Sequence, residues 1–189
     1  LPNQRTMSLR KVCGVESSMT EEELIEVKPE FAQINNTRYA GGFPANVERL
    51  IATLIQSPSL HLFSGASKIG DVRIDLKRPE ATHNINVFDF IDSNRESWKF
   101  VIADPPYQIK HRTSKLRDYG KPFSISGSVP FRNKIEQFLQ TYAENVLWFD
   151  YISPCPQGFY RHRVWMFVFS SWRHFRGLTW LKRKGERLI

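Results

Sequence analysis

The strongest constraint on how this chain folds is a run of apolar stretches too short to be helices. Leu60–Phe63, Val72–Leu76, Ile85–Phe88 and Phe100–Ala103 are each four or five residues long, bounded by Gly, Pro, Asp or Asn. Such short, largely apolar stretches are the pattern of strands buried on both faces of a parallel sheet. Val146–Ile152, closed by Ser153-Pro154, predicts a fifth strand. Phe131–Ala143 places Ile135, Phe138, Leu139 and Tyr142 on one helix face, and Val47, Leu50, Ile51, Leu54 and Ile55 fall at helical spacing after Pro44. Ser57-Pro58 ends that earlier helix. Val164–Phe169 and Leu178–Leu181 read as two antiparallel strands joined by a polar turn. The expected fold is therefore α/β: a doubly wound, mostly parallel sheet with an antiparallel C-terminal hairpin. The eight-residue step from Gly65 to Arg73 strains it, since a parallel crossover normally takes about a dozen residues.

Residues 1–40 are polar and without sustained periodicity. They read as an N-terminal extension with one short helix around Met19–Val27, ahead of a single domain over 41–189. A chain of 189 residues can bury one core, not a catalytic domain plus a full second domain. Two cysteines, Cys13 and Cys155, exclude a disulfide framework and a four-cysteine zinc site. His61, His83, His111, His162 and His174 lack ligand spacing, so no metal is expected. No apolar run approaches the ~20 residues of a membrane helix, and the start does not read as a signal peptide. A soluble, cytoplasmic protein with no membrane partner is expected.

The formal charge of +8 is uneven. Residues 159–189 hold eight basic side chains (among them Arg161, Arg163, Arg176 and Lys182) against Glu186, and Lys110, Arg112, Lys115, Arg117 and Lys121 face only Asp118. The stretch from Glu16 to Glu30 is acidic. Two basic patches on a mildly acidic chain are either an electrostatic footprint for nucleic acid or a solvated surface. Tyr160, Trp165, Trp172, Phe175 and Trp180 are interleaved with the second patch.

The sharpest local signal is Asp104-Pro105-Pro106-Tyr107, directly after the fourth apolar stretch. Ligands of open α/β sheets bind outside the carboxyl ends of strands. Two prolines fix φ and remove two N–H donors, leaving a stiff lip of carbonyls beside a carboxylate. Such a lip accepts hydrogen bonds and donates almost none, so its complement is an exocyclic amine. Tyr107 adds a face on which a base can stack. Alone, the tetrapeptide could also be a Pro-Pro turn closing a strand, with Asp104 as a cap. Its context argues otherwise: the first stretch ends in Phe63-Ser64-Gly65, a turn where glycine lets backbone approach a ligand, the second in Asp75-Leu76, and the third runs into Asp89. An acid after the second strand is where ribose hydroxyls are held in dinucleotide-type folds.

This series resembles the S-adenosylmethionine-dependent amino-methyltransferases of nucleic acids, whose catalytic motif reads (D/N/S)-P-P-(Y/F/W). The resemblance spans roughly residues 41–181 and is specific at 104–107. It implies a Rossmann-like class I methyltransferase fold and S-adenosyl-L-methionine as cofactor. It also implies that Phe63, Ser64 and Gly65 line the methionine part of the cofactor. Asp75 would then bind the ribose, with Leu76 beside it, and Asp89 the adenine amino group. Asp104 with the Pro105 carbonyl would hold the target amine, held stiff by Pro106, and Tyr107 would stack on the flipped base. Gly42-Phe43-Pro44 resembles the motif at the methionine end of the cofactor, and the motif order is like that of gamma-type DNA adenine methyltransferases. Aspartate at the first motif position fits adenine or guanine amines rather than N4 of cytosine, and N6 of adenine in DNA is the leading expectation. An RNA amino-methyltransferase acting on adenine N6 or guanine N2, or an inactive nucleic-acid-binding subunit on the same fold, are the alternatives. Lys110, Arg112, Lys115 and Arg117 are expected to close over the flipped nucleotide and its phosphates. The family usually has an acid where His61 stands, a second glycine where Ser67 stands, and a longer first crossover. No large target-recognition domain is expected within these residues, so DNA or RNA readout is expected to fall to small loops, the N-terminal extension, a homodimer or a recognition subunit. Cys155, between two prolines, follows the fifth strand rather than the fourth and is not expected to be a nucleophile.

Overall fold

A computed structural model describes residues 27–31, 42–106, 128–169 and 174–185. Seven strands form one mixed sheet: β1 (Val27–Phe31), β2 (Ser59–Leu62), β3 (Val72–Ile74), β4 (Trp98–Ala103), β5 (Ala143–Asp150), β6 (Phe159–Phe169) and β7 (His174–Arg183). Their spatial order is β1-β6-β7-β5-β4-β2-β3. Strands β2 to β5 run parallel, β7 is antiparallel to both β5 and β6, and β1 lies parallel to β6 at the edge. The architecture is α/β, as the apolar stretches and the hairpin predict.

Helices cover both faces. α1 (Ala45–Leu54) presents Val47 and Ile51 to Phe100, Ile102, Leu147, Phe149 and Leu178 on one face. α2 (Val87–Ser93) and α3 (Val129–Tyr142) pack Val87, Ile91, Ile135, Phe138 and Leu139 on Leu60, Leu62, Val101, Val146 and Trp148 on the other. β4 and β5 are sandwiched between these layers, which is why they read as continuous apolar runs. Pro44 caps α1, where its missing N–H costs nothing. Among the described residues no helix is long and apolar enough to cross a membrane.

Three expectations need correcting. Ile85–Phe88 is not a strand: beyond an isolated parallel bridge between Ile74 and His83, the segment turns into α2. The Asn86 side chain caps that helix by accepting the Phe88 N–H at 2.9 Å, and Val87 and Ile91 are buried at i, i+4 spacing. Helical periodicity and a cap outweigh three β-prone residues. Val27, taken as the last residue of a helix, starts β1 instead, while 19–26 lie outside the described residues. That strand puts part of the expected N-terminal extension into the main sheet.

The short β2–β3 crossover has no helix and is tied by side chains. The Asp71 carboxylate accepts from the Ser59 N–H and hydroxyl, both at 2.9 Å. Hydrogen bonds from Ser57 and then the Ser59 amide hold its carboxyl below the usual range. Arg73 donates to the carbonyls of Gly70 and Glu80, at 2.7 and 3.0 Å. Gly70 sits at φ 100, and a Cβ there would lie 3.2 Å from that of His61. A tight, side-chain-braced loop replaces the dozen residues a helical crossover uses.

Candidate active site

The chain leaves β2 for β3 on one side and passes from β4 to β5 on the other, so the sheet's direction of winding reverses between β2 and β4. A crevice outside the carboxyl ends of strands at such a point is where open α/β sheets hold ligands. Leu62 of β2 lies opposite Ala103 of β4, so Phe63 and Asp104 leave neighbouring strands at the same level.

The turn after β2 is built from left-handed backbone. Phe63 adopts φ 60 and Gly65 φ 56; the first is uncommon for a side chain of this size. The Ser64 N–H donates to the Ile74 carbonyl at 2.9 Å, and the Gly65 N–H donates to Asp75 at 3.1 Å. Asp75 is buried and its other oxygen accepts the Lys77 and Arg78 N–H groups, both at 2.9 Å. It therefore braces the two loops against each other. A carboxylate offers about four acceptor positions, and these bonds fill three.

His61 is fully buried, stacked on Phe43 with ring centroids 5.4 Å apart. Its Nδ1 lies 3.0 Å from the Ile69 carbonyl, which makes that nitrogen the protonated one. Burial pushes the imidazole down to about 4, so the ring is neutral and Nε2 is a bare acceptor. Nε2 has no hydrogen-bond partner, and neither does the buried Ser64 Oγ. Ser67 reaches Glu48 of α1 at 3.3 Å. Pro44 is buried beside Phe43, at the start of that helix.

Asp104 follows β4, as the sequence implies, but its partner was not foreseen. Arg176 of β7 reaches past β5 to place Nη2 2.5 Å from Asp104 Oδ1, with side-chain exposures of 2% and 9%. The same Nη2 donates to the Phe149 carbonyl at 3.2 Å, and the guanidinium lies 3.9 Å from the Phe149 ring centroid. Arg176 had been counted with the basic surface; it is a buried strut. Its signal lay in the alternation Arg176, Leu178, Trp180, which puts the arginine on the apolar face of its strand. Tyr151 was also missed. It follows β5, is 43% exposed, and its ring centroid is 5.8 Å from the Arg176 guanidinium.

The structure thus gathers Phe63, Ser64, Gly65, Asp75, Asp104 and Pro105 around adjoining strand ends, with Phe43 packed against His61 of β2. Leu76 is half exposed after Asp75. Asp89 does not end a strand; it lies exposed in the first turn of α2. Tyr107, Lys110, Arg112, Lys115 and Arg117 lie outside the described residues. Scans of protein-family models and of curated proteins find no match for this chain, so the corner has to be read from its own chemistry.

Proposed function

We propose that this chain transfers a methyl group from S-adenosylmethionine to the exocyclic amine of a nucleobase, N6 of adenine in DNA first. The observation that carries the reading is the placement of Asp104-Pro105-Pro106 beside the Phe63–Gly65 turn, at the reversal point of the sheet. The order β3-β2-β4-β5 follows the 2-1-4-5 portion of a doubly wound nucleotide fold. A Rossmann-like methyltransferase fold, with the third strand reduced to the parallel Ile74–His83 bridge beside β3 and β7 inserted antiparallel, is the finer reading it supports.

The residues present fit such a cofactor. Two buried polar atoms lack partners, His61 Nε2 on β2 just before the turn and Ser64 Oγ within it, and a native interior rarely leaves such atoms unsatisfied. His61 would accept an N–H from the ligand's amino group as a neutral base where the resembling family uses an acid. Asp75 has about one acceptor position left for a ribose hydroxyl, and Leu76 offers an exposed apolar face. When bound, S-adenosylmethionine supplies an electrophilic methyl on its sulfonium. Asp104 and the Pro105 carbonyl accept the two N–H bonds of the amine, turning its lone pair out of conjugation and toward the attack line. Arg176 neutralises and orients the carboxylate, so Asp104 holds the amine and the departing proton goes to solvent. Tyr151 and Tyr107 offer faces for the flipped base, whose extrusion costs a few kcal/mol.

One observation favours an inactive binding subunit: both Asp75 and Asp104 already carry protein partners. Incubation with labelled cofactor and mixed DNA and RNA, followed by mass spectrometry of the nucleosides, separates the readings. N6-methyladenine from DNA is expected, and its absence with Asp104→Ala. Methylated RNA nucleosides alone would move the substrate to RNA, and no transfer to any base would remove the enzymatic reading.

A further inference from the structure

On the face of β7 that buries Arg176, six residues further along and on the order of 20 Å away, lies Lys182, at the opposite end of the sheet from Asp104. Across from it, β6 is irregular: the register slips between Arg161 and Arg163, so that His162 and Arg163 together oppose Trp180. A bulge of this kind re-aims a side chain. Here it brings His162 edge-on to Trp180, with centroids 4.7 Å apart, and turns Arg163 over the Trp165 ring at 5.6 Å. Lys182 lies over Trp180 at 4.6 Å. Tyr160, the register partner of Lys182, is 42% exposed.

Neither Arg163 nor Lys182 pairs with a carboxylate among the described residues. Both depress the charged form of His162, after desolvation. Two cations are therefore held close together on indole faces, with an exposed phenol at the rim. Like charges gathered without a salt-bridged carboxylate among the described residues are complementary to an anion, and the flat aromatic faces suit bases.

We propose that this bulged end of the β6–β7 hairpin binds a single-stranded segment of nucleic acid, its phosphates on Arg163 and Lys182 and a base on Tyr160. The surface is separate from the Asp104 corner and shares with the reading above only the nucleic-acid partner. The test measures binding of a labelled oligothymidylate of about 12 nucleotides to the full chain without cofactor, over a range of salt concentrations. Replacing both cations (Arg163→Gln with Lys182→Gln) should weaken binding about tenfold or more at low salt. It should also flatten the salt slope by about 1.4, since each phosphate contact on a single strand contributes about 0.7. Tyr160→Ser should lose at least about fivefold with the slope unchanged, and Arg163→Lys with Lys182→Arg should keep the slope. Wild-type affinity and slope in the double glutamine variant would overturn the proposal, as would equally tight binding to polyglutamate or to phosphatidylserine vesicles. Patch-dependent binding without methyl transfer would uphold this surface and retire only the enzymatic reading.

Discussion

Two cations on one face of β7 meet opposite fates. Arg176 is buried against Asp104 and the Phe149 ring, while Lys182 lies half exposed on Trp180 and makes no salt bridge among the described residues. The first is a strut that holds an acid in place, and removing it takes the ionic partner from a buried charge. The second is a charge in waiting, whose removal costs the fold little. The same residue class in the same strand is thus a buried ion-pair partner at one end and an exposed charge on an aromatic face at the other, and burial separates the two.

The largest effect expected from this contrast is on stability. Arg176→Met should cost about 3–5 kcal/mol in urea denaturation, because it breaks a buried ion pair from one side. Adding Asp104→Leu should recover most of that loss, since apolar replacement of a buried pair is often neutral. Equal losses in the single and double variants would show that the pair is not the source.

Next comes pH. His61 is neutral in the fold with its pKa lowered to about 4 from an ordinary 6.5. The unfolded chain takes up that proton first, so stability is full above about 6.5 and falls as pH drops toward 4, by about 3 kcal/mol. His61→Gln should lack this share of the decline, and matching declines in the two proteins would refute it. Asp75→Ala leaves three buried or half-buried N–H groups without their acceptor and should cost about 2–3 kcal/mol by the same assay. At the small end, Lys182→Gln should move stability by no more than about 0.5 kcal/mol. A larger loss there would mean that Lys182 is a strut after all.

The sheet was legible because its central strands are apolar on both sides: β2, β4 and β5 declare themselves by length and composition. The position of Asp104 followed from β4. Arg176 was hidden by its basic neighbours, which draw the eye toward a surface, although Leu178 and Trp180 mark its face. α2 was misread because Ile85–Phe88 is too short for period to decide, and Asn86 was not weighed as a cap. β1 escaped notice because its partner lies in β6, far along the chain, and Pro29 within it reads against a strand except at an edge, which is where it lies. Local signals report elements; a pairing across the sheet, such as Asp104 with Arg176, needs the register.

The whole account turns on where a cofactor's reactive carbon would sit. A crystal structure of the full chain with S-adenosylhomocysteine bound should place the ligand's sulfur over the Phe63–Gly65 turn, facing the Asp104–Pro105 lip, with a ribose hydroxyl on Asp75. Density for the ligand at any other place, with Asp104 facing away from it, would contradict the account.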